Sequence, residues 1–247
     1  MTKAIFFDID GTLVSFTTHV ISPAVLDALH RLRTRGVRLF IATGRHRSAI
    51  GAARDVFPFD GYITLNGQFC FVGDHILRAN PIPAPAAREL VDFLERTGIP
   101  AVLLGREETY TVNPDPRTEL FPVQLNIPLP PIVPIRHVLG RELYQAVIFL
   151  TREEERTLAA PFAGLEVMRW HPDFVDVIAP GGGKDRGMDV ILDHFGISLA
   201  DTMAFGDGEN DLPMLHHACI GVAMGNADAP VRQQADYVTT TVDEDGI

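Results

Sequence analysis

Two aspartates, separated by one residue, follow a short apolar run near the N-terminus. Residues 4–7 are strand-forming, and Asp8 and Asp10 come directly after them, before a glycine at position 11. In a parallel sheet, ligands bind beyond the carboxyl ends of the strands. A turn at Gly11 can bring both carboxylates to one cavity, where they can bind a hard cation or act as nucleophile and acid. The alternative interpretation is an ordinary acidic turn at a strand end.

A hydroxyl and a glycine end the second predicted strand. Residues 37–42 are largely apolar, and Thr43 and Gly44 come directly after them. A hydroxyl and free backbone N–H groups at a strand-to-helix turn suit a phosphate oxygen. The alternative is that Thr43 only caps the next helix.

Three consecutive glycines, at residues 181–183, precede Lys184. The run is similar to an ATP-binding phosphate loop, but that pattern requires Ser or Thr after Gly-Lys, and Asp185 stands there. We therefore exclude ATP binding of this type. The glycines can instead deliver Lys184 to a phosphate from the start of a helix, whereas a solvated lysine is the commoner case.

A second acidic segment, residues 206–211, follows an apolar run and contains Asp207, Asn210 and Asp211. Mg²⁺ commonly takes one or two carboxylates together with water and phosphate oxygens, so these aspartates are candidate ligands. The EF-hand spacing of a calcium loop is absent. Each of the four segments has an ordinary explanation, but their joint occurrence at strand ends indicates a site for phosphate and metal.

The elements around these residues predict an α/β domain in two parts. Ser22 and Pro23 open a helix that Gly36 ends, between strands at residues 4–7 and 37–42, and a weaker strand follows at 63–65. A tight strand–helix–strand return favours parallel strands. The same pattern recurs near the C-terminus, with helices at 185–195, 212–217 and 227–235 and strands at 202–205, 220–223 and 237–239.

The middle of the chain has a different pattern. A helix at 86–97 precedes strand-like segments at 101–104, 109–112, 146–150, 165–169 and 175–178, with a charged helix at 151–160. We predict that residues 1–81 and 182–247 form the α/β domain and that residues 82–181 form an inserted α+β domain. Within the insert, Trp170 could form an aromatic wall and Arg169 could meet an anion; packing within the insert and a solvated charge are the alternatives.

Composition limits the classes of partner. The chain has 247 residues, of which 46% are hydrophobic, and a formal net charge of −11. An acidic protein repels nucleic acid, so we expect no such partner. Cys70 and Cys219 lie in apolar stretches and are predicted to be small buried residues, not a disulfide. The sequence has neither a signal-peptide pattern nor an apolar run of about 20 residues, which predicts a cytoplasmic protein without membrane contact.

The four segments, in this order, resemble the motifs of the haloacid dehalogenase (HAD) superfamily. The insert between the second and third motifs, and the closing segments at 235–239 and 243–246, are similar to the Cof-type branch with its C2 cap. The resemblance implies a Rossmann-like HAD core with a parallel sheet and an inserted α+β cap that selects the substrate. The chain stops at Ile247, where such relatives usually continue into a last helix, but it retains all four motifs, so we expect activity to be retained.

The resemblance also implies residue roles. Asp8 would be the nucleophile that forms an aspartyl-phosphate, and Asp10 would be the acid and base. Phosphate would be bound by Thr43, Gly44, Lys184 and Asn210, and Mg²⁺ by Asp8, the Asp10 backbone carbonyl, Asp207 and Asp211. The resulting expectation is a Mg²⁺-dependent phosphatase for small phosphorylated metabolites, with sugar phosphates as the leading class, acting as a monomer or homodimer. A phosphomutase and a non-catalytic phosphometabolite sensor are the alternatives.

Overall fold

The computed structural model describes residues 2–158 and 162–247, without the side chain of Trp170. The chain divides into two compact units, one formed by Met1–Ala79 with Gly183–Ile247 and the other by Asn80–Gly182. The sequence prediction set these boundaries at 81/82 and 181/182. None of the helices in the described ranges has the length and apolarity of a membrane-spanning segment.

The described residues contain strands β1 to β13 and helices α1 to α8. The strands are β1 Ala4–Phe7, β2 Arg38–Ala42, β3 Gly61–Thr64, β4 Phe69–Val72, β5 His75–Ala79, β6 Ala101–Leu104, β7 Thr109–Val112, β8 Gln145–Ile148, β9 Glu166–His171, β10 Phe174–Ile178, β11 Thr202–Gly206, β12 Ile220–Ala223 and β13 Tyr237–Val238. The helices are α1 Pro23–Thr34, α2 Gly51–Arg54, α3 Ala84–Thr97, α4 Leu120–Leu125, α5 Arg152–Thr157, α6 Lys184–Phe195, α7 Leu212–His217 and α8 Ala229–Gln234.

The first unit is built on an eight-stranded sheet in the order β13-β12-β11-β1-β2-β3-β4-β5. The six strands from β13 to β3 run parallel, whereas β4 and β5 are antiparallel to their neighbours. The predicted α/β fold class is therefore confirmed, and the sheet also contains an antiparallel hairpin, β4–β5, that was not predicted from the sequence. His75–Ala79 lies at the sheet edge and is only partly buried, so it lacks the apolar pattern of the central strands.

Local sequence signals place α1 between β1 and β2. Ser22 Oγ accepts a hydrogen bond of 3.2 Å from the Val25 N–H, and Pro23 occupies the first turn. Such a cap satisfies one of the backbone donors that a helix start leaves unpaired. Val25 and Leu29 are buried, so the apolar face of α1 packs on the sheet, where the helix contacts β2.

Helix α6 packs closely on the sheet because one of its residues lacks a side chain. A Cβ at Gly187 would lie 2.3 Å from Ile63 Cγ2 in β3. Met188 and Ile191 of the same helix are fully buried in the core cluster that contains Phe6 and Phe40. This close packing sets the depth of α6 and therefore the position of Lys184, its first residue.

The second unit contains a five-stranded antiparallel sheet in the order β7-β6-β8-β10-β9, with α3 packed on it. The predicted helix at 86–97 begins two residues earlier than expected, and Gly98 ends it with φ of 67°. Helix α5 ends at Thr157; the predicted end at 160 lies outside the described residues. Arg169 is buried, which excludes the solvated charge: its Nη1 lies within hydrogen-bond distance of four backbone carbonyl oxygens, and its Nη2 donates to Glu155 Oε2 at 2.9 Å.

The prediction for the cysteines is half correct. Cys70 lies in β4 and is buried, and this burial raises the pKa of its thiol to about 12. Cys219 is exposed because it lies in the turn between α7 and β12, where the preceding residue, Ala218, is the one that packs into the core.

Candidate active site

The carboxyl ends of three adjacent parallel strands bring the predicted residues together. Phe7 pairs with Ile41 of β2 on one side and with Phe205 of β11 on the other. Asp8 follows Phe7, while Thr43 and Asp207 come two residues after the partners of Phe7. The strand register therefore places the first, second and fourth motifs at one edge of the sheet, the edge at which parallel strands end and ligands bind.

Lys184 is the centre of the site. Its side chain is fully buried, and its Nζ donates to Asp8 Oδ1 at 2.6 Å and to Asp211 Oδ1 at 2.5 Å. Asp8 is 6% and Asp211 1% exposed. The glycines before Lys184 thus deliver it into the protein, so the solvated lysine is excluded. A buried ammonium with two carboxylates is a candidate ligand for a phosphoryl group.

Asp211 joins Lys184 to the loop that carries Asp207. Its Oδ2 accepts hydrogen bonds of 2.9 Å from the backbone N–H groups of Asp207 and Gly208, while its Oδ1 accepts from Lys184. A Cβ at Gly206 would lie 2.5 Å from Asp211 Cβ, so glycine permits this tight fold of the loop. Asp211 is therefore well placed to orient Lys184 and Asp207.

Three carboxylates form a candidate cation site. One oxygen from each of Asp8, Asp207 and Asp211 lies within 4.8 Å of the others. Thr12 Oγ1 donates to Asp207 Oδ1 at 2.8 Å, which orients that carboxylate. Hard carboxylate oxygens are the donors that divalent cations such as Mg²⁺ prefer, so the donor set fits the predicted metal. The Asp10 side chain is not a member of this group.

The protonation equilibria of the cluster reflect its burial. Burial raises the pKa of Asp8 to about 7, with Asp211 and Asp10 acting in the same direction and Lys184 against it. Burial also raises the pKa of Asp207 well above its usual range, and the nearby Asp8 and Asp211 carboxylates add to this effect. Burial lowers the pKa of Lys184, but the two adjacent carboxylates outweigh burial and raise it. The cluster therefore has more negative charge than Lys184 neutralises, and a divalent cation would relieve this imbalance.

Asp10 forms a two-point ion pair with Arg45. Arg45 Nε donates to Asp10 Oδ2 at 2.7 Å and Nη2 to Asp10 Oδ1 at 2.6 Å, while Nη1 donates to the Ala49 carbonyl at 2.7 Å. The guanidinium is 4% exposed and the Asp10 side chain 14%. Planar guanidinium and carboxylate groups match at two points, so Arg45 fixes the orientation of Asp10.

The second motif forms a local turn. Thr43 is buried, and its Oγ1 accepts a hydrogen bond of 3.1 Å from the Arg45 N–H. Gly44, which lies between them, is half-buried. Thr43 therefore stabilises its own turn beside Asp8 at the sheet edge, whereas the next helical turn, Arg47–Ala49, is capped by His46 and not by Thr43. Asn210, the predicted phosphate ligand in the fourth motif, donates from its Nδ2 to Asn66 Oδ1 at 3.1 Å.

Two asparagines at the site were not predicted from the sequence. Asn66, just after β3, binds Asn210. Asn226 Nδ2 donates to the Gly11 carbonyl at 2.8 Å, and Asn226 Oδ1 accepts from the Val242 N–H at 2.9 Å. Each asparagine comes two or three residues after a parallel strand. Because ligands bind beyond the carboxyl ends of such strands, the reasoning that identified Asp8 could also have identified these asparagines.

The comparisons with known proteins identify the class of protein. Residues 5–247 match the family described as haloacid dehalogenase-like hydrolase. The chain therefore belongs to the HAD superfamily, and the expected resemblance is confirmed.

Particular relatives specify the reaction. The HAD subclass IIB sugar phosphatase BT4131 is 42% identical, with a TM-score of 0.93 over 100% of this chain and 96% of that chain. BT1666 from Bacteroides thetaiotaomicron, described among HAD phosphatases, is 37% identical, with a TM-score of 0.90 over 100% and 92%. The proposed phosphatase YkrA of Bacillus subtilis (strain 168) is 33% identical over 99% of this chain and 95% of its own length. This chain is a HAD-family phosphatase, which hydrolyses phosphoric monoesters. Phosphatases of that family generally use a divalent metal, and the chain has a matching cluster of aspartates. The comparisons favour the hydrolase over the phosphomutase and the sensor.

Proposed function

We propose that this protein is a Mg²⁺-dependent phosphatase that hydrolyses small phosphomonoesters, with sugar phosphates as the favoured class, through an aspartyl-phosphate on Asp8. The observation that carries the proposal is the contact of Lys184 with Asp8 in a buried cluster of carboxylates. A carboxylate attacks a phosphate dianion only when the charge between them is neutralised, and Lys184 stands at that point.

The chemistry follows from the assigned residues in two steps. Asp8 forms a bond to phosphorus while the ester oxygen leaves, and Asp10 gives that oxygen a proton. Water then attacks phosphorus and gives a proton to Asp10, the bond to Asp8 breaks, and free phosphate is released with both aspartates restored. Splitting the reaction in this way replaces one difficult displacement with two easier ones.

The other polar residues support these steps. Lys184 and the turn at Thr43 and Gly44 would bind the phosphoryl oxygens. Asp10 can keep its two contacts with Arg45 and still exchange a proton, because each carboxyl oxygen has two lone-pair positions. We assign Mg²⁺ to Asp8, Asp207 and the Asp10 carbonyl, where it would neutralise phosphoryl charge. Asp211 would support these groups by orienting Lys184.

The substrate class rests on the relatives. The sugar phosphatase BT4131 is 42% identical to this chain over its whole length. The pyridoxal phosphate phosphatase YbhA of Escherichia coli (strain K12) is 27% identical over 96% of this chain. The higher identity favours sugar phosphates, and substrate selection by residues 82–181 is part of the same proposal.

The test is phosphate release from a panel of sugar phosphates, pyridoxal phosphate and nucleotides, with Mg²⁺ and with EDTA. Asp8→Asn should abolish release while the circular-dichroism spectrum stays unchanged, because the amide is a poor nucleophile and a weaker metal ligand. Asp27→Asn, the same substitution at an exposed position of α1, is the control and should match wild type. Near-normal release by Asp8→Asn, or in EDTA, would contradict the mechanism.

The covalent intermediate has its own test. With methanol present, an aspartyl-phosphate should divide its phosphoryl group between water and methanol in one ratio, whatever the leaving group of the substrate. A ratio that changes from one leaving group to the next would indicate direct attack by water and would remove Asp8 as the nucleophile.

A further inference from the structure

Three consecutive residues after β3 have left-handed backbone angles. The φ values are +52° at Leu65, +50° at Asn66 and +85° at Gly67, and we call this segment the 65–67 turn. Asparagine tolerates this region and glycine favours it, but a bulky residue such as Leu65 adopts it rarely. Such a conformation persists only when the surroundings impose it, and it concentrates at functional sites.

The surroundings that impose it belong to the predicted site. The Asn66 N–H donates to the Thr43 carbonyl at 3.1 Å, and the Asn66 carbonyl accepts from the Gly183 N–H at 2.8 Å. The Asn66 side chain is buried, and its Oδ1 accepts from Asn210 Nδ2 at 3.1 Å. One residue thus contacts the second motif, the residue before Lys184 and the fourth motif.

The contact with Gly183 is unusually close. A Cβ at Gly67 would lie 1.9 Å from the Gly183 carbonyl oxygen, so only a glycine in the turn allows the two backbones to meet. Gly183 immediately precedes Lys184, the first residue of α6. A displacement of the 65–67 turn would therefore be transmitted directly to the backbone that carries Lys184.

We propose that Asn66 is a positioning residue, which holds the start of α6 and Asn210 in register with the Thr43 turn and so places Lys184 for phosphate binding. The inference rests on the proposed function, because it assumes that Lys184 and the Thr43 turn bind the phosphoryl group. Misplacement of a catalytic group by about 1 Å can cost about 100-fold in rate. The contacts of Asn66 with Thr43, Gly183 and Asn210 all go to groups on the phosphate side of the site.

The test variant is Asn66→Gly, which accepts the left-handed backbone and removes the contact with Asn210. We expect kcat/KM for 4-nitrophenyl phosphate to fall at least about 10-fold, and the inhibition constant of inorganic phosphate to rise by a similar factor. The Kd of Mg²⁺, measured by calorimetry without substrate, should change less than about twofold. A merely structural role would weaken the binding of both Mg²⁺ and phosphate, or would only lower Tm.

Two further variants keep the test decisive. Asn126→Gly is the matched control, because Asn126 ends α4 with φ of +50°, and its kinetics should match wild type. Asn210→Ala breaks the side-chain contact from the other side and leaves the turn unchanged, so kinetics within twofold of wild type in this variant would overturn the proposal even where Asn66→Gly does not fold. When Asn66→Gly and Asn210→Ala are combined, the loss of kcat/KM should not exceed the larger single loss by more than about twofold, because both substitutions remove the same contact.

The outcomes separate this inference from the function on which it rests. If wild type is active and Asn66→Gly stays within twofold of it, the positioning role is wrong while the phosphatase stands. Equal weakening of Mg²⁺ binding and phosphate binding would also overturn the positioning role. So would losses of kcat/KM that multiply in the double variant. If the Asp8→Asn variant releases phosphate at a near-normal rate, the proposed mechanism has failed, whatever the result for Asn66→Gly.

Discussion

Replacement of Lys184 by methionine tests whether a buried cation holds the site together. Methionine keeps an unbranched side chain of similar length, so the main change is the loss of the ammonium group. In the wild type that group lies 2.6 Å from Asp8 and 2.5 Å from Asp211, with its side chain fully buried. Lys184→Met therefore leaves two buried carboxylates without their cation.

The size of the effect follows from burial. Removing one partner of a buried ion pair typically costs about 3–5 kcal/mol. For a protein of this size, about 1 kcal/mol lowers Tm by about 2–4 °C, so we expect Lys184→Met to lower Tm by roughly 6–20 °C in EDTA at pH 8. Activity should fall at least about 100-fold, because a preorganised positive charge at the phosphoryl group is lost.

Lys3→Met is the matched control. Lys3 Nζ lies 2.6 Å from Asp201 Oδ2, the same distance as in the Lys184–Asp8 pair, but the Lys3 side chain is 63% exposed. Exposed pairs contribute little because water screens them, so its Tm should change by no more than about 2 °C. Equal Tm shifts for the two variants, or an unchanged Tm in Lys184→Met, would refute the assignment of Lys184 as the cation that stabilises the cluster.

The same experiment has a pH dependence with a defined sign. Burial raises the pKa of Asp8 to about 7, and Lys184 is the largest influence that lowers it. A carboxyl group with a pKa higher in the folded than in the unfolded state destabilises the fold at high pH. This penalty fades as the pH falls through the folded-state value. In EDTA, the Tm difference between wild type and Lys184→Met should therefore be smaller at pH 5.5 than at pH 8. A difference that grows toward pH 5.5 would contradict this reasoning.

Three further predictions concern the acid, the metal loop and the thiols. Asp10→Asn should slow hydrolysis of alkyl phosphates by about 100-fold or more but 4-nitrophenyl phosphate less, since a good leaving group needs no acid. Equal losses in a steady-state assay would argue that Asp10 acts mainly in dephosphorylation or at the metal. Gly11→Ala should raise the Kd of Mg²⁺ about 10-fold by calorimetry, because the new Cβ, at a φ of +80°, would lie 2.1 Å from Asp207 Oδ2; an unchanged Kd would contradict that contact. A thiol reagent at pH 8 should titrate one equivalent, exposed Cys219, because burial raises the pKa of Cys70 to about 12. A second fast equivalent without denaturant would refute the buried position.

The sequence predicted those parts of the site that depend on strand ends. Asp8, Thr43 and Asp207 each follow an apolar run, and a parallel sheet brings the ends of such runs to one edge without further information. Lys184 was found by the glycines before it. The placement of these residues follows from the sequence because chain order and a single packing rule determine which edge of the sheet each residue reaches.

The partners of these residues depend on tertiary contacts that the sequence does not encode locally. Arg45 stood in the second motif, but its pairing with Asp10 joins positions 35 residues apart. Leu65 was predicted as the end of a strand because it follows the strand formers Ile63 and Thr64, whereas the contacts of Asn66 with Thr43 and Gly183 hold the turn in a left-handed conformation. Local propensity fails at this turn because long-range hydrogen bonds oppose it.

The charges of the site give an electrostatic reason for a metal, independent of the family. Among the described residues, four carboxylates, on Asp8, Asp10, Asp207 and Asp211, meet two cations, Lys184 and Arg45, and both cations are already paired with carboxylates. With all six groups ionised, the site carries two formal negative charges before a phosphate dianion enters, on a protein whose net charge is −11. Repulsion of this kind opposes binding as well as chemistry. Removal of the metal should therefore weaken the affinity for inorganic phosphate itself, and not only turnover.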